Sequence, residues 1–541
     1  MTTTEDKIRA ACPDLEWFPL TPPEDHPPKG PYVIFEQDVA IPLRDGIKIY
    51  TDIFRPVDSD TTRVPAIIPW SPYGKTGTGP QSYDSMAPFR AGLAKSPEWV
   101  PRGYAIINVD ARGAGNSESN ISFWGQQEAE DIYDTIDWIS KQPWCNGSVG
   151  MAGNSWLSIA QVNFASRLEH SALKALAPWE AATDPYRDLT MRGGHKHNEE
   201  FNKLIMNGFA GHGTAENMSA MMDKRPLYDD YWESKRIHTE NIKNVPLYIL
   251  ASYSSMLHTR GSFGTFRTAP TPRKWLRVHP YQEWYDLYRP EVVDDLARYF
   301  DRYLKGIEND WESTAPVRLS LLGFEGSPAP TIIERSEQEF PLARQVLKKF
   351  YLNGSTNTLQ SNLPEASSNF TLHFPTPTEL AGYARVRLWV STPDHTDMDI
   401  VVQIRKISRD GALLEHLNYP CPVPLEEVPN VNTVKTLGPQ GFLRASHAVS
   451  KDEAASTDQE IVYRHDRSEP IPPGTIVPVD ITLWPMGMMF AEGEGVMLRV
   501  SGRDMCYPET AIVSPDKNGW GTHEVHCGGE TGSFLVLPVV N

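Results

Sequence analysis

Cysteine is scarce in this chain. The five, Cys12, Cys145, Cys421, Cys506 and Cys527, are odd in number and scattered without paired spacing. That pattern argues against a disulfide framework or a zinc ligand set and leaves reduced, structural thiols. Basic clusters are missing as well. With 51 Lys and Arg against 69 Asp and Glu, the formal net charge is −18. The chain therefore lacks the polycationic surface from which nucleic-acid or anionic-membrane binding draws its affinity. No apolar run approaches a membrane span, and the stretch Met1 to Arg9 has no leader-like apolar segment. No internal repeat or low-complexity tract stands out. The expectation is a soluble, cytoplasmic protein without a metal or other cofactor, with no nucleic-acid or membrane partner and with a homo-oligomer left open.

What is present is material for large cores. Hydrophobic residues make up 40% of 541 positions, with 15 Trp, which is folded and globular in composition. The length exceeds one ordinary core, so two or three domains are expected.

After a proline-rich lead-in over 1–31, the segments Tyr32 to Asp38 and Lys48 to Phe54 alternate like antiparallel strands around the Leu43 to Ile47 turn. Val64 to Trp70 and Gly103 to Asp110 are short apolar runs that read as buried strands. Gln127 to Lys141 carries Ile132, Ile136 and Ile139 at helical spacing, with Pro143 beyond its end. Strand-like Val149 to Gly153, helical Trp156 to Ser166 and strand-like Leu173 to Pro178 follow. This alternation predicts an α/β fold with a mostly parallel, helix-covered sheet.

The rhythm breaks over 186–244, a polar, helix-leaning stretch with His195, His197, Met218, Met221, Met222 and Trp232. It reads as a cap inserted over the sheet's carboxyl edge, with its Met and aromatic side chains lining an apolar cavity. Val245 to Ala251, Lys274 to His279 and a closing helix from Val292 to Ile307 restore the pattern, so 32–185 and 245–310 form one domain. From Ser313 the texture becomes β-rich, as in Val317 to Phe324, Arg385 to Ser391, Met398 to Ile407 and Val496 to Ser501. Residues 313–541 are predicted to form a β-sandwich of jelly-roll type.

The chemistry centres on Ser148-Val-Gly-Met-Ala-Gly-Asn-Ser-Trp-Leu-Ser158. Ser155 stands at a glycine-flanked break between strand and helix, the pattern of a nucleophile elbow. The sharp turn requires a small residue two positions earlier, and Gly153 supplies it. Leu157 replaces the usual second glycine, and a plain N-cap serine is the alternative. The Trp156 amide opens the helix, where unpaired donors and the dipole favour an oxyanion. His279 follows an apolar strand after the serine in chain order, where a hydrolase fold places its base. Tyr73, in Trp70-Ser-Pro-Tyr-Gly-Lys75, can present a phenol to the oxyanion or simply pack in a turn. Asp110 and Arg112 are expected to make a polar link at a strand end. His195, His197 and His258 read as solvated, with facing a substrate pocket as the alternative, and their spacing makes no metal site.

Ser-Pro-Tyr-Gly-Lys75, Asp110-Ala-Arg-Gly-Ala-Gly-Asn-Ser117, Gly153-Asn-Ser-Trp-Leu157 and Val479-Asp-Ile-Thr-Leu-Trp-Pro485 together resemble the cocaine esterase and X-prolyl dipeptidyl peptidase family of serine hydrolases. The resemblance implies an α/β-hydrolase domain, a helical cap, a carboxyl-terminal jelly roll and cleavage of esters or amides. It also implies an oxyanion hole from Tyr73 and the Trp156 amide, and a small residue at Ser158. The triad acid departs from that family: Ser255 stands where it has an aspartate. A hydroxyl can orient an imidazole but cannot stabilise imidazolium as a carboxylate does. Glu180, leaving the strand beside the nucleophile strand, is the first substitute and Asp184 the second. Glu283 and Asp286 read as surface or helix-start charges. The function expected is hydrolysis of an ester or amide of a bulky hydrophobic small molecule through an acyl-enzyme. An acyltransferase or cyclase of secondary metabolism using the same intermediate, and a non-catalytic binding protein that lost its acid, are the alternatives.

Overall fold

The computed structural model describes residues 17–19, 33–75, 99–197, 199–253, 255, 257–281, 286, 289–353, 357–360, 367–416, 438–505 and 521–540. Cys12, Cys421, Cys506 and the lead-in prolines between 22 and 31 lie outside them, as does Glu283.

Strands β1 (Val33–Pro42) and β2 (Lys48–Pro56) pair antiparallel around the Leu43 to Ile47 turn, which closes on bonds of 2.8 and 3.0 Å. Next come β3 (Val64–Ile68), β4 (Ala105–Asp110), helix α1 (Gln126–Ser140), β5 (Cys145–Asn154), helix α2 (Trp156–Arg167) and β6 (Leu173–Trp179). Beyond the cap stand β7 (Leu247–Ala251), helix α3 (Thr259–Thr268), β8 (Lys274–Val278) and helix α4 (Pro290–Leu304). Every residue of β3, β4 and β7 is buried. Helices cover both faces of such strands, so β3 and β7 are unbroken apolar runs without alternation, and β4 departs from this at Asn108 and Asp110. On α1, Ile132, Ile136 and Ile139 are fully buried along one face.

The large sheet runs β7, β6, β5, β3, β4, β2, β1, with β8 on the far side of β7. All neighbours from β8 to β4 are parallel, while β2 and β1 are antiparallel. The chain order reverses at β3, which lies between β4 and β5. A parallel sheet opens its ligand crevice at such a switch, at the carboxyl ends of the strands.

One expectation needs correction. Val317 to Phe324 reads as the start of the β-rich region, yet β9 (Val317–Leu321) extends the large sheet, parallel to β8, and β10 (Ile332–Glu337) pairs antiparallel with it. A short apolar run fits either sheet, and its periodicity says nothing of its partner. The chain continues directly into the second sheet system, since Leu322 exchanges backbone bonds of 2.9 and 3.0 Å with Gly487 and Met489.

Among the described residues, the strands of that second system pair antiparallel throughout. An eight-stranded sheet contains Arg385–Ser391, Val477–Thr482 and Phe534–Val540, and a four-stranded sheet contains Asp399–Ile407 and Gly495–Ser501. Leu388 and Val390 of the first share a core with Ile400, Val402, Ile404 and Leu498 of the second. Among the described residues, no helix is long and apolar enough to cross a membrane.

The region between β6 and β7 holds short helices at Glu199–Asn207, Met218–Lys224 and Asp230–Lys235. Met218, Met221, Met222 and Trp232 are core residues here, at most 1% exposed. The cap histidines His195 and His197 are not solvated but buried, as is His258 after β7, and His197 Nε2 lies 2.7 Å from Asp504 Oδ2.

Candidate active site

Ser155 sits between β5 and α2 with φ 59° and ψ −122°. Non-glycine residues avoid this region, and holding one there costs about 1–3 kcal/mol. The surroundings make room for the turn. Gly153 has φ 144°, and a Cβ on it would lie 2.4 Å from Leu157 Cβ. The glycine two residues before the serine therefore accommodates the leucine standing where a second glycine is usual. Gly153→Ala is expected to lower stability by about 1–3 kcal/mol, as overpacking does, and to lose less in a Leu157→Gly background. Thermal melts of the four proteins in that cycle check this.

The neighbouring strand ends are laced together at the same edge. Ser155 N donates to Trp179 O at 3.2 Å, Glu180 N to Leu250 O at 3.0 Å, and His279 N to Ala251 O at 2.9 Å. Three residues far apart in sequence thus arrive at one rim. Glu180 also has a positive φ, 55°. Ser155 is half-buried, whereas Glu180 and His279 are buried.

Two carboxylates bracket the imidazole. Glu180 Oε1 is 3.2 Å from His279 Nε2, and Asp286 Oδ2 is 4.0 Å from His279 Nδ1. Asp286, read from sequence as a surface or helix-start charge, is instead fully buried. Arg277 holds it through bonds of 2.5 and 3.0 Å, and Arg289 through one of 3.0 Å. Burial alone would push its carboxyl up, but Arg277, His279 and Arg289 outweigh it and hold it down at about 2. For His279, burial favours the neutral ring. The Asp286 charge and the Glu180 hydrogen bond and charge prevail, so its pKa is raised above the ordinary 6.5. The sequence signal for Asp286 was Arg277, a cation within the buried strand β8 that requires an anion nearby.

Ser255 and Asp184 do not meet His279. Ser255 Oγ is bonded to His258 Nδ1 at 3.1 Å, four positions beyond the end of β7. Asp184 is occupied by Arg187, accepting from its backbone N–H at 3.0 Å and its guanidinium at 2.6 Å.

Tyr73 is buried on the loop after β3, its ring edge-on to Trp156 with centroids 6.3 Å apart and 5.8 Å from Phe209 of the cap. Lys75 anchors this loop. Its N–H donates to Asp110 Oδ1 at 2.6 Å, and its Nζ lies 2.8 Å from Asp38 and 3.3 Å from Asp52. Asp110 and Arg112 serve different segments, for Arg112 pairs with Asp131 at 2.7 and 2.8 Å and with Asp45 at 2.9 Å. The Trp156 amide belongs to the first turn of α2, whose N–H groups have no acceptor within the helix. Among the described residues, no group of three or more His, Cys, Asp or Glu side chains is arranged to hold a metal.

A family model described as X-Pro dipeptidyl-peptidase (S15 family) matches residues 45–208, and one described as X-Pro dipeptidyl-peptidase C-terminal non-catalytic domain matches 309–536. The chain is 37% identical over 150 residues to cocaine esterase of Rhodococcus sp., a match covering 28% of this chain and 24% of that protein. Matches to the first curated relatives thus span only about a quarter of their length, 24% to 26%. Among solved structures, a CocE/NonD family hydrolase from Staphylococcus aureus superposes with TM-score 0.83 at 29% identity, covering 94% of both chains. An alpha-amino acid ester hydrolase shares the fold at TM-score 0.68 and 18% identity, over 94% of this chain and 96% of that one. With elbow, strand order and both matched regions in agreement, the chain belongs to the cocaine esterase and X-prolyl dipeptidyl peptidase family of serine hydrolases.

Proposed function

We propose that this protein is a serine hydrolase that cleaves a carboxylic ester or amide through an acyl-enzyme. The observation that carries the reading is the half-buried Ser155 at a strained elbow, on the rim where His279 meets Glu180. His279 takes the Ser155 proton as Oγ adds to the carbonyl carbon. The oxyanion is held by the Trp156 amide and the Tyr73 phenol. Collapse breaks the bond to the alcohol or amine, which leaves with the proton from His279, and water then repeats the sequence on the acyl group. Glu180 and Asp286 stabilise the imidazolium that forms in each half.

Tyr73, Trp156, Phe123 and Phe209 form one aromatic cluster beside the proposed oxyanion hole. Such a wall favours a substrate whose acyl or leaving group is bulky and apolar. The carboxylate at His279 weighs against the non-catalytic alternative, whose motive was the serine at position 255.

A p-nitrophenyl ester of a medium-chain acid should release a burst of nitrophenol equal to the enzyme present, followed by slower turnover. Absence of both would sink the reading. The base must be neutral to act, and its two anionic neighbours favour the protonated ring. The acid limb of kcat/KM should therefore fall above pH 6.5, the ordinary histidine value. A limb below that value would contradict the electrostatics described.

A further inference from the structure

Glu128 lies on α1, buried behind the elbow. Its Oε1 accepts from the Trp156 indole N–H at 2.8 Å and the Trp70 indole N–H at 3.2 Å, and its Oε2 accepts from Asn163 Nδ2 at 3.2 Å. Trp156 follows the nucleophile, and Trp70 opens the loop that carries Tyr73. Resting on the hydrolase reading above, we propose that Glu128 is a positioning residue that holds the two halves of the oxyanion hole in register.

Stability alone does not explain a carboxylate here. Its close partners are three neutral N–H donors, and a buried charge without a cation in contact is costly. The nearest compensation is indirect: Arg167 Nε donates at 2.8 Å to Asn163 Oδ1, on the same amide that serves Glu128. Only a carboxylate presents acceptors at both ends. Glutamine would turn an NH2 toward one of the donors. The gain is geometric. Trp156 is fixed at its indole by Glu128 and at its ring by Phe123 and Trp124, with centroids at 4.9 Å for each. Trp70 ties the Tyr73 loop to the same oxygen. Oxyanion donors act only if held at the right distance before charge develops. Burial also pushes the Glu128 carboxyl up to about 7. Protonation would remove an acceptor from this arrangement near neutral pH.

The test is Glu128→Gln with p-nitrophenyl butyrate. We expect kcat to fall about tenfold to a hundredfold, the cost of a displaced catalytic geometry, with KM within about threefold. The wild-type acid limb of kcat should be steeper than one ionisation and become single in Glu128→Gln. The Glu128→Gln/Trp156→Phe double variant should lose no more than Glu128→Gln alone, since the Trp156 indole is held through Glu128. Should Glu128→Gln fail to fold, Trp70→Phe removes one donor alone and should still lower kcat severalfold at constant KM. An unchanged kcat in the folded variant, or additive losses in the double, would overturn the assignment while leaving the hydrolase reading intact. A wild type that forms no acyl-enzyme would remove both.

Discussion

Ser155→Ala should abolish labelling by a fluorophosphonate and lower ester hydrolysis by about a millionfold, the scale seen when a serine nucleophile is deleted. Intact-protein mass spectrometry reads the adduct directly: one phosphonyl group on wild type, none on the variant. The fold should survive. Alanine fits the space, and the backbone bonds from Ser155 N to Trp179 and from Ser158 and Ile159 to the Ser155 carbonyl do not involve the hydroxyl. Ser155→Gly should melt higher than Ser155→Ala, because glycine tolerates the φ of 59° that strains both serine and alanine. Equal labelling of wild type and Ser155→Ala would end the nucleophile assignment. Labelling with no net hydrolysis in water, but with product formed on adding an amine, would point to acyl transfer as the physiological half-reaction.

The elbow was legible because its constraint is local. A strained turn between strand and helix restricts residues within two positions of the serine, and Gly153 declares it. The parallel sheet was legible for a similar reason: strands buried on both faces, such as β3 and β7, are written as unbroken apolar runs. The histidine was accessible by chain order. The partner of that histidine was harder, because it depends on which strands adjoin. Glu180 could be proposed only by inferring that β6 lies beside β5. Asp286 escaped because an acidic residue in a polar stretch looks solvated, and its burial follows from Arg277 and Arg289 converging on it. The same limit explains β9. A strand's own pattern shows that it is buried but not which sheet buries it. Glu128 was hidden for the opposite reason, sitting at a helix position where acidic residues are ordinary, with its two indole partners 58 and 28 residues away in sequence.

The two carboxylates at His279 should separate by what each variant loses. Glu180→Gln keeps an oxygen that can accept from Nε2 but no longer offers a charge to the imidazolium. We expect kcat/KM to fall by about a hundredfold to ten-thousandfold, the upper figure being the loss when a triad aspartate becomes an amide. Asp286→Asn should act first on stability. It removes the anion that the buried Arg277 guanidinium holds at 2.5 and 3.0 Å; Glu334 Oε1 stays on Arg277 Nε at 2.7 Å, so the loss should fall below the about 3–5 kcal/mol of a buried charge left with no partner. In the fraction that folds, both variants remove a negative neighbour from the ring. The imidazolium becomes less favoured, the His279 pKa falls, and the acid limb of kcat/KM moves to lower pH. The Asp286 charge and the Glu180 hydrogen bond and charge all raise the His279 pKa, so both variants should move the limb down, while Glu180→Gln should carry the larger loss of rate at the plateau. Thermal melts and pH profiles of both variants decide the matter. A Glu180→Gln protein with full plateau activity, beside a folded Asp286→Asn protein that has lost it, would transfer the role of orienting acid from Glu180 to Asp286.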